Sequence, residues 1–195
     1  MELARAEGVA AEVVEALRPG CERIEVAGSV RRRKAEVKDL EVVYIARMVE
    51  VRVDLFTTRP GPATEMVISR LVAEGFWRFD EDVRRNGWKY KRMVHRASGL
   101  VVELFRAVEE NWGLQLALRT GPAEFNHVLV SHTWEGGVMS GGMEMRGGFL
   151  WKLGIRLASR EEEEFFEQLG VPWWEPRERS AARLGQWLVE GRELR

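Results

Sequence analysis

Cysteine is almost missing from this sequence. A single Cys21 excludes an internal disulfide framework and makes a reducing, cytoplasmic setting the default. No apolar run approaches the roughly 18–20 residues that cross a bilayer, so no membrane partner is expected. The opening segment, MELARAEGVAAEVVEALRP, carries acids and lacks the apolar centre of a signal peptide. Only three histidines are present, His95, His127 and His132, at no ligand spacing, which argues against zinc. Excess charge of one sign is also lacking: the net charge is −1, so any nucleic-acid contact must come from local clusters. Lysine and the amides are scarce, with 5 Lys against 25 Arg, 3 Asn and 3 Gln, a bias that suits a GC-rich genome or a hot habitat.

What remains is an ordinary globular composition: 195 residues, 45% apolar and 31% charged. Leu3, Val9, Val13, Val14 and Leu17 fall at helical spacing and predict a helix over 2–18, ended by Pro19-Gly20. ERIEVAG (22–28) predicts a strand. DLEVVYIA (39–46) and VEVRVDLFT (49–57) predict two strands paired through a tight connection, and TRPGP (58–62) predicts a break before a helix over 63–76. WKYKRMVHR (88–96) and LVVELFRA (100–107) predict a hairpin around Ala97-Ser98-Gly99. Beyond about residue 111 the pattern changes to two short helices interrupted at Gly121-Pro122, a glycine-rich stretch (136–148) suited to a loose small sheet, and a helix over 160–170 with acids at its start. The fold class is therefore α+β, with a mixed sheet and helices over 1–111 and a smaller helical and β subdomain over 112–195.

One stretch carries unusual order. GSVRRRKAEVKDLE (28–41) sets four cations, Arg31 to Lys34, ahead of Asp39 and Glu41. On a strand, residues i and i+2 face one way, so Asp39 and Glu41 present their oxygens together. Glu103 lies mid-strand between apolar neighbours and needs a wet face or a positive partner. Three acids side by side repel unless cations neutralise them, and two Mg²⁺ about 3.5–4 Å apart would do so while binding phosphate oxygens. A helix starting near Ser29 would aim its N–H groups at a phosphate, and Arg32 could reach the same anion. The alternative is a solvated charged turn before a strand edge. Asp54 in RVDLF is a rival for the third acid.

Gly28-Ser29, then Arg31-Arg32, then Asp39-x-Glu41, then the apolar-flanked Glu103, resembles the nucleotidyltransferase superfamily. RTGPAEFN (119–126) looks like the T-G-x-x-x-F-N segment of the DNA polymerase X family, the polymerase beta type. LGVPWWEPRERS (169–180) looks like that family's C-terminal L-G-x-P-x-x-E-P-x-x-R block. The resemblance implies a palm domain followed by a nucleotide-selecting subdomain, and an enzyme that transfers a dNMP from a dNTP to a DNA primer 3′-hydroxyl with release of pyrophosphate. It implies that Asp39 and Glu41 ligand two Mg²⁺ ions, that Glu103 ligands the catalytic one and helps deprotonate the hydroxyl, that Gly28, Ser29 and Arg32 hold the triphosphate, that Thr120 and Gly121 meet the sugar, and that Asn126 meets the base edge.

Two acidic positions where the family carries Asp are Glu here. The added methylene predicts a changed metal spacing or a preference for Mn²⁺. A glycine common after the paired arginines is Arg33, and the aromatics common before T-G are Leu118-Arg119, which leaves sugar discrimination open. Only 27 residues precede Gly28, which implies a minimal, monomeric form without the gap-binding N-terminal domain. Gapped or primed DNA would then be held by RRNGWKYKR (84–92), where Arg84, Arg85, Lys89, Lys91 and Arg92 alternate with Trp88 and Tyr90; the plain alternative is an exposed hairpin. Two other readings stay open: a transferase acting on RNA or protein with the same core, and a nucleic-acid-binding protein that keeps the fold without catalysis.

Overall fold

The computed structural model describes residues 1–52, 54, 56–80 and 86–193. The protein is α+β, as the patterning predicts, and it divides into two compact units, Met1–Val108 and Glu109–Arg195. Among the described residues no helix is long and apolar enough to cross a membrane.

The first unit is built on a five-stranded sheet. Its strands are β1 (Cys21–Val26), β2 (Asp39–Ala46), β5 (Trp77–Phe79), β6 (Tyr90–His95) and β7 (Val101–Ala107), in the order β1-β2-β7-β6-β5. Only the central β2–β7 pair is parallel. Helices α1 (Leu3–Leu17) and α3 (Ala63–Ala73) belong to this unit. The strand alternation decides which residues meet the core. Leu40, Val42 and Tyr44 of β2, Val102 and Leu104 of β7 and Met93 of β6 join Val13 and Leu17 of α1 and Ile68 of α3 in one buried cluster. Each such side chain removed from water contributes about 1.5–3 kcal/mol. The residues between them, Asp39, Glu41, Glu103 and Arg92, occupy the other face.

The sequence expectation for residues 49–62 fails. β3 (Met48–Arg52) does not pair with β2; it pairs antiparallel with β4 (Thr58–Pro62), the segment expected to be a break. β2 already has β1 and β7 as partners, so the chain leaves the sheet and makes a separate two-stranded ribbon. Proline is tolerated in a two-stranded ribbon because its missing N–H can face outward.

The second unit has α4 (Trp112–Thr120), α5 (Ala123–Val130), a three-stranded sheet β8 (Met143–Arg146), β9 (Phe149–Lys152) and β10 (Ile155–Arg156), then α6 (Glu162–Leu169) and α7 (Ala181–Glu193). Phe125, Leu129, Leu150, Phe165, Phe166 and Leu184 form its core.

Candidate functional site

In the first unit the path from β1 to β2 sets the site. β1 ends at Val26, and α2 (Gly28–Arg31) makes a single turn. The helix expected from Ser29 is thus only this turn, too short for a useful dipole, so its side chains rather than its backbone N–H groups are what it offers an anion. Gly28 has φ +64, a region glycine enters without strain. A Cβ on it would collide with the Glu41 carboxylate. Arg33 also sits at positive φ, 56°, so the position where a glycine was expected does have the backbone shape that glycine favours, here carried by arginine at a cost of about 1–2 kcal/mol.

A cleft of about 490 Å³ opens beside this turn, lined among others by Ser29, Arg32, Lys34, Lys38 and Asp39. Ser29 Oγ is buried and makes no hydrogen bond. Three cations, a hydroxyl and two carboxylates, Glu36 and Asp39, therefore share one concave surface, a mixed set in which the cations suit a phosphate tail and an acid lies close by.

The parallel register of β2 and β7 pairs Glu41 with Glu103 and Asp39 with Val101. Asp39, Glu41 and Glu103 thus share one sheet face on neighbouring strands. Glu103 has partners on its other flank, on β6. Its Oε1 accepts a hydrogen bond from the Tyr90 hydroxyl at 2.6 Å and one from Arg92 Nη1 at 3.3 Å. Arg92 Nε donates to Asp80 Oδ2 at 2.7 Å. Burial and then the Glu103 carboxylate beside it push the Tyr90 hydroxyl up to about 12, so it stays a donor. Among the described residues no three His, Cys, Asp or Glu side chains gather closely enough to hold a metal ion as they stand. The donor set still suits one: oxygen ligands only, from adjacent strands, as Mg²⁺ or Mn²⁺ requires. The rival acid Asp54 lies elsewhere, between β3 and β4, where its Oδ1 accepts from the backbone N–H groups of Phe56 and Thr57 at 2.8 Å each; those bonds hold its carboxyl below the usual range.

The expected nucleic-acid patch is corrected in part. Arg84 and Arg85 lie outside the described residues. Lys91 does not belong to the patch: it points to the helical face, is buried, and pairs with Glu65 of α3 at 3.0 Å. Strand alternation forces this, since Tyr90 and Arg92 face the acids and Lys91 between them must face the core. Arg92 is likewise spent on Asp80 and Glu103. What stays exposed is Trp88, with the Lys89 ammonium and the Arg106 guanidinium each 5.2 Å from its ring centre. Arg106 has no sequence signal for this place, which depends on the Lys89 backbone lying beside β7.

In the second unit Thr120 is fully buried at the end of α4. Asn126 Nδ2 donates to the carbonyls of Leu118 (2.6 Å) and Gly121 (3.0 Å), and its Oδ1 is buried without a partner. Asn126 thus ties α5 to the end of α4, and a base-edge donor role would require that amide to leave these carbonyls. The block LGVPWWEPRERS is structural at its last arginine. Arg179 is buried and ion-paired with Glu162 at 2.8 Å, donates to the Trp174 carbonyl at 3.0 Å, and lies over Phe166. No protein-family model and no curated protein sequence matches this chain.

Proposed function

We propose that this protein is a metal-dependent nucleotidyltransferase of the DNA polymerase X type, adding dNMP units to a DNA primer. The observation that carries the reading is the cleft shared by Ser29, Arg32, Lys34, Lys38 and Asp39, beside a sheet face on which Glu41 and Glu103 are register partners. In this reading Arg32, Lys34 and Lys38 neutralise the triphosphate, and Ser29 Oγ donates to one of its oxygens. Asp39, Glu41 and Glu103 would hold two Mg²⁺ or Mn²⁺ ions, whose charge would offset that building on the phosphates. Glu103 accepts the proton of the primer 3′-hydroxyl. The 3′-oxygen then bonds to the α-phosphorus, the bond to the bridging oxygen breaks, and pyrophosphate departs toward the cations of the cleft. Positioning and charge do most of the work.

Primer extension tests this on gapped, recessed and single-stranded DNA, with dNTPs or rNTPs and with Mg²⁺ or Mn²⁺. Incorporation that disappears in Asp39→Asn supports it. Incorporation of ribonucleotides onto RNA alone moves the reading to a transferase that adds nucleotides to RNA. No incorporation under any condition, with DNA still bound, favours a non-catalytic binding protein.

A further inference from the structure

Glu103 has a cation already. Its Oε1 is 3.3 Å from Arg92 Nη1, with side-chain exposures of 17% for Glu103 and 35% for Arg92. The pairing is built in from several sides. Arg92 and Glu103 are direct register partners on β6 and β7. The Arg92 backbone N–H donates to Asn86 Oδ1 at 2.8 Å, and its Nε is held by Asp80. Glu41 lies on the opposite flank of Glu103, with Asp39 two residues further along β2. A row of carboxylates repels itself unless a positive charge joins it, and Arg92 brings one to Glu103. It also explains why the acids share a face but do not close on one another.

We propose that Arg92 is a positioning residue that competes with divalent cations for Glu103. The guanidinium holds Glu103 on the β6 side until a cation bound by Asp39 and Glu41 draws the carboxylate across. Tyr90 acts differently. As a neutral donor it orients Glu103 without opposing a cation. This inference rests on the reading of Asp39, Glu41 and Glu103 as metal ligands.

The test is Mn²⁺ binding to the full chain, without nucleotide or DNA, read from the electron paramagnetic resonance signal of free Mn²⁺. Arg92→Gln removes one positive charge a few ångströms from the cation and frees the ligand, so it binds Mn²⁺ about three- to tenfold more tightly than the wild type. Arg92→Lys, which keeps the charge, returns to within about twofold of the wild type. Tyr90→Phe changes affinity by no more than about twofold. Folded Arg92→Gln that binds Mn²⁺ equally or more weakly overturns the proposal. If Arg92→Gln unfolds without cation, recovery of its circular dichroism on Mn²⁺ addition is the same expected result. A chain that stays unfolded at saturating Mn²⁺ makes Arg92 merely structural and overturns the proposal. Binding in the wild type that Asp39→Asn abolishes, with Arg92→Gln unchanged, leaves the metal reading standing and sinks only the competition. No Mn²⁺ binding in any variant sinks both.

Discussion

Gly28 lies directly against the carboxylate of Glu41, in space that no side chain could share. The turn that lines the cleft and the strand that carries the acids are thereby fitted to each other at one residue. Gly28→Ala must either push Glu41 aside or change a backbone held at φ +64. The expected cost is about 1–3 kcal/mol of stability, read from the urea midpoint. Primer extension is expected to fall at least about 100-fold, because the reacting groups tolerate little displacement. An alanine variant with undiminished extension would refute this placement of the cleft.

Glutamate in place of aspartate at two of the three acids is a second lever. Each Glu carries its carboxylate one methylene further from the strand, and Mg²⁺ accepts little departure from about 2.0–2.1 Å. Wild-type activity is expected to be higher with Mn²⁺. The double variant Glu41→Asp, Glu103→Asp is expected to shift the preference toward Mg²⁺. Side-by-side titration of both ions decides it, and equal wild-type activity with the two would dismiss the idea.

In the second unit, Arg179 and Glu162 form a buried ion pair with exposures of 0% and 4%. Removing one partner strands the other's charge, so Arg179→Met is expected to cost about 3–5 kcal/mol. Arg179→Met with Glu162→Leu is expected to recover most of that. Chemical unfolding of the two variants, followed by Trp fluorescence, gives the comparison.

Cys21 supplies a pH dependence. Burial pushes its thiol from about 9 up to about 11, against the opposing pull of Arg18 and Arg47. The folded protein favours the neutral thiol, so its contribution is whole below about pH 9 and is lost as pH rises toward 11. A two-unit gap corresponds to at most about 2–3 kcal/mol. Urea unfolding between pH 8 and 11 should show this decline and should lose part of it in Cys21→Ala. Tyr44, pushed up to about 12 by burial, acts with the same sign only at higher pH. The native thiol should also resist alkylation at pH 8.

How much of this was legible in the sequence varies with the source of the signal. DLEVVYIA reads correctly over 39–46 because it opens on an alternation, Asp39-Leu40-Glu41-Val42, and continues in an apolar run of β-branched and aromatic residues that suits a central strand. The hairpin at Ala97-Ser98-Gly99 is legible because short-range turn chemistry fixes it. The β3–β4 ribbon is not, because Pro60 and Gly61 disguise a strand whose partner is simply the next segment. A window rich in cations draws Lys91 into the expected patch, whereas the same period-two rule that places Asp39 and Glu41 together turns it inward. α7 carries Leu184, Trp187 and Leu188 at helical spacing, a signal present but hidden behind the EPRER block. The partners of Glu103 depend on register across β6 and β7, which no local pattern encodes.

The parallel pairing of β2 with β7 also has a consequence for how the chain matures. As the polypeptide is made, β2 first gains only β1; its other edge waits, with open N–H and C=O groups, until β7 has been synthesised. Parallel partners cannot be joined by a tight turn, and such remote pairing is slow. An unmatched edge carrying Leu40, Val42 and Tyr44 invites contacts with other nascent chains. Fragments that stop short of β7 should therefore precipitate, and chaperone demand should be greatest during that interval of synthesis.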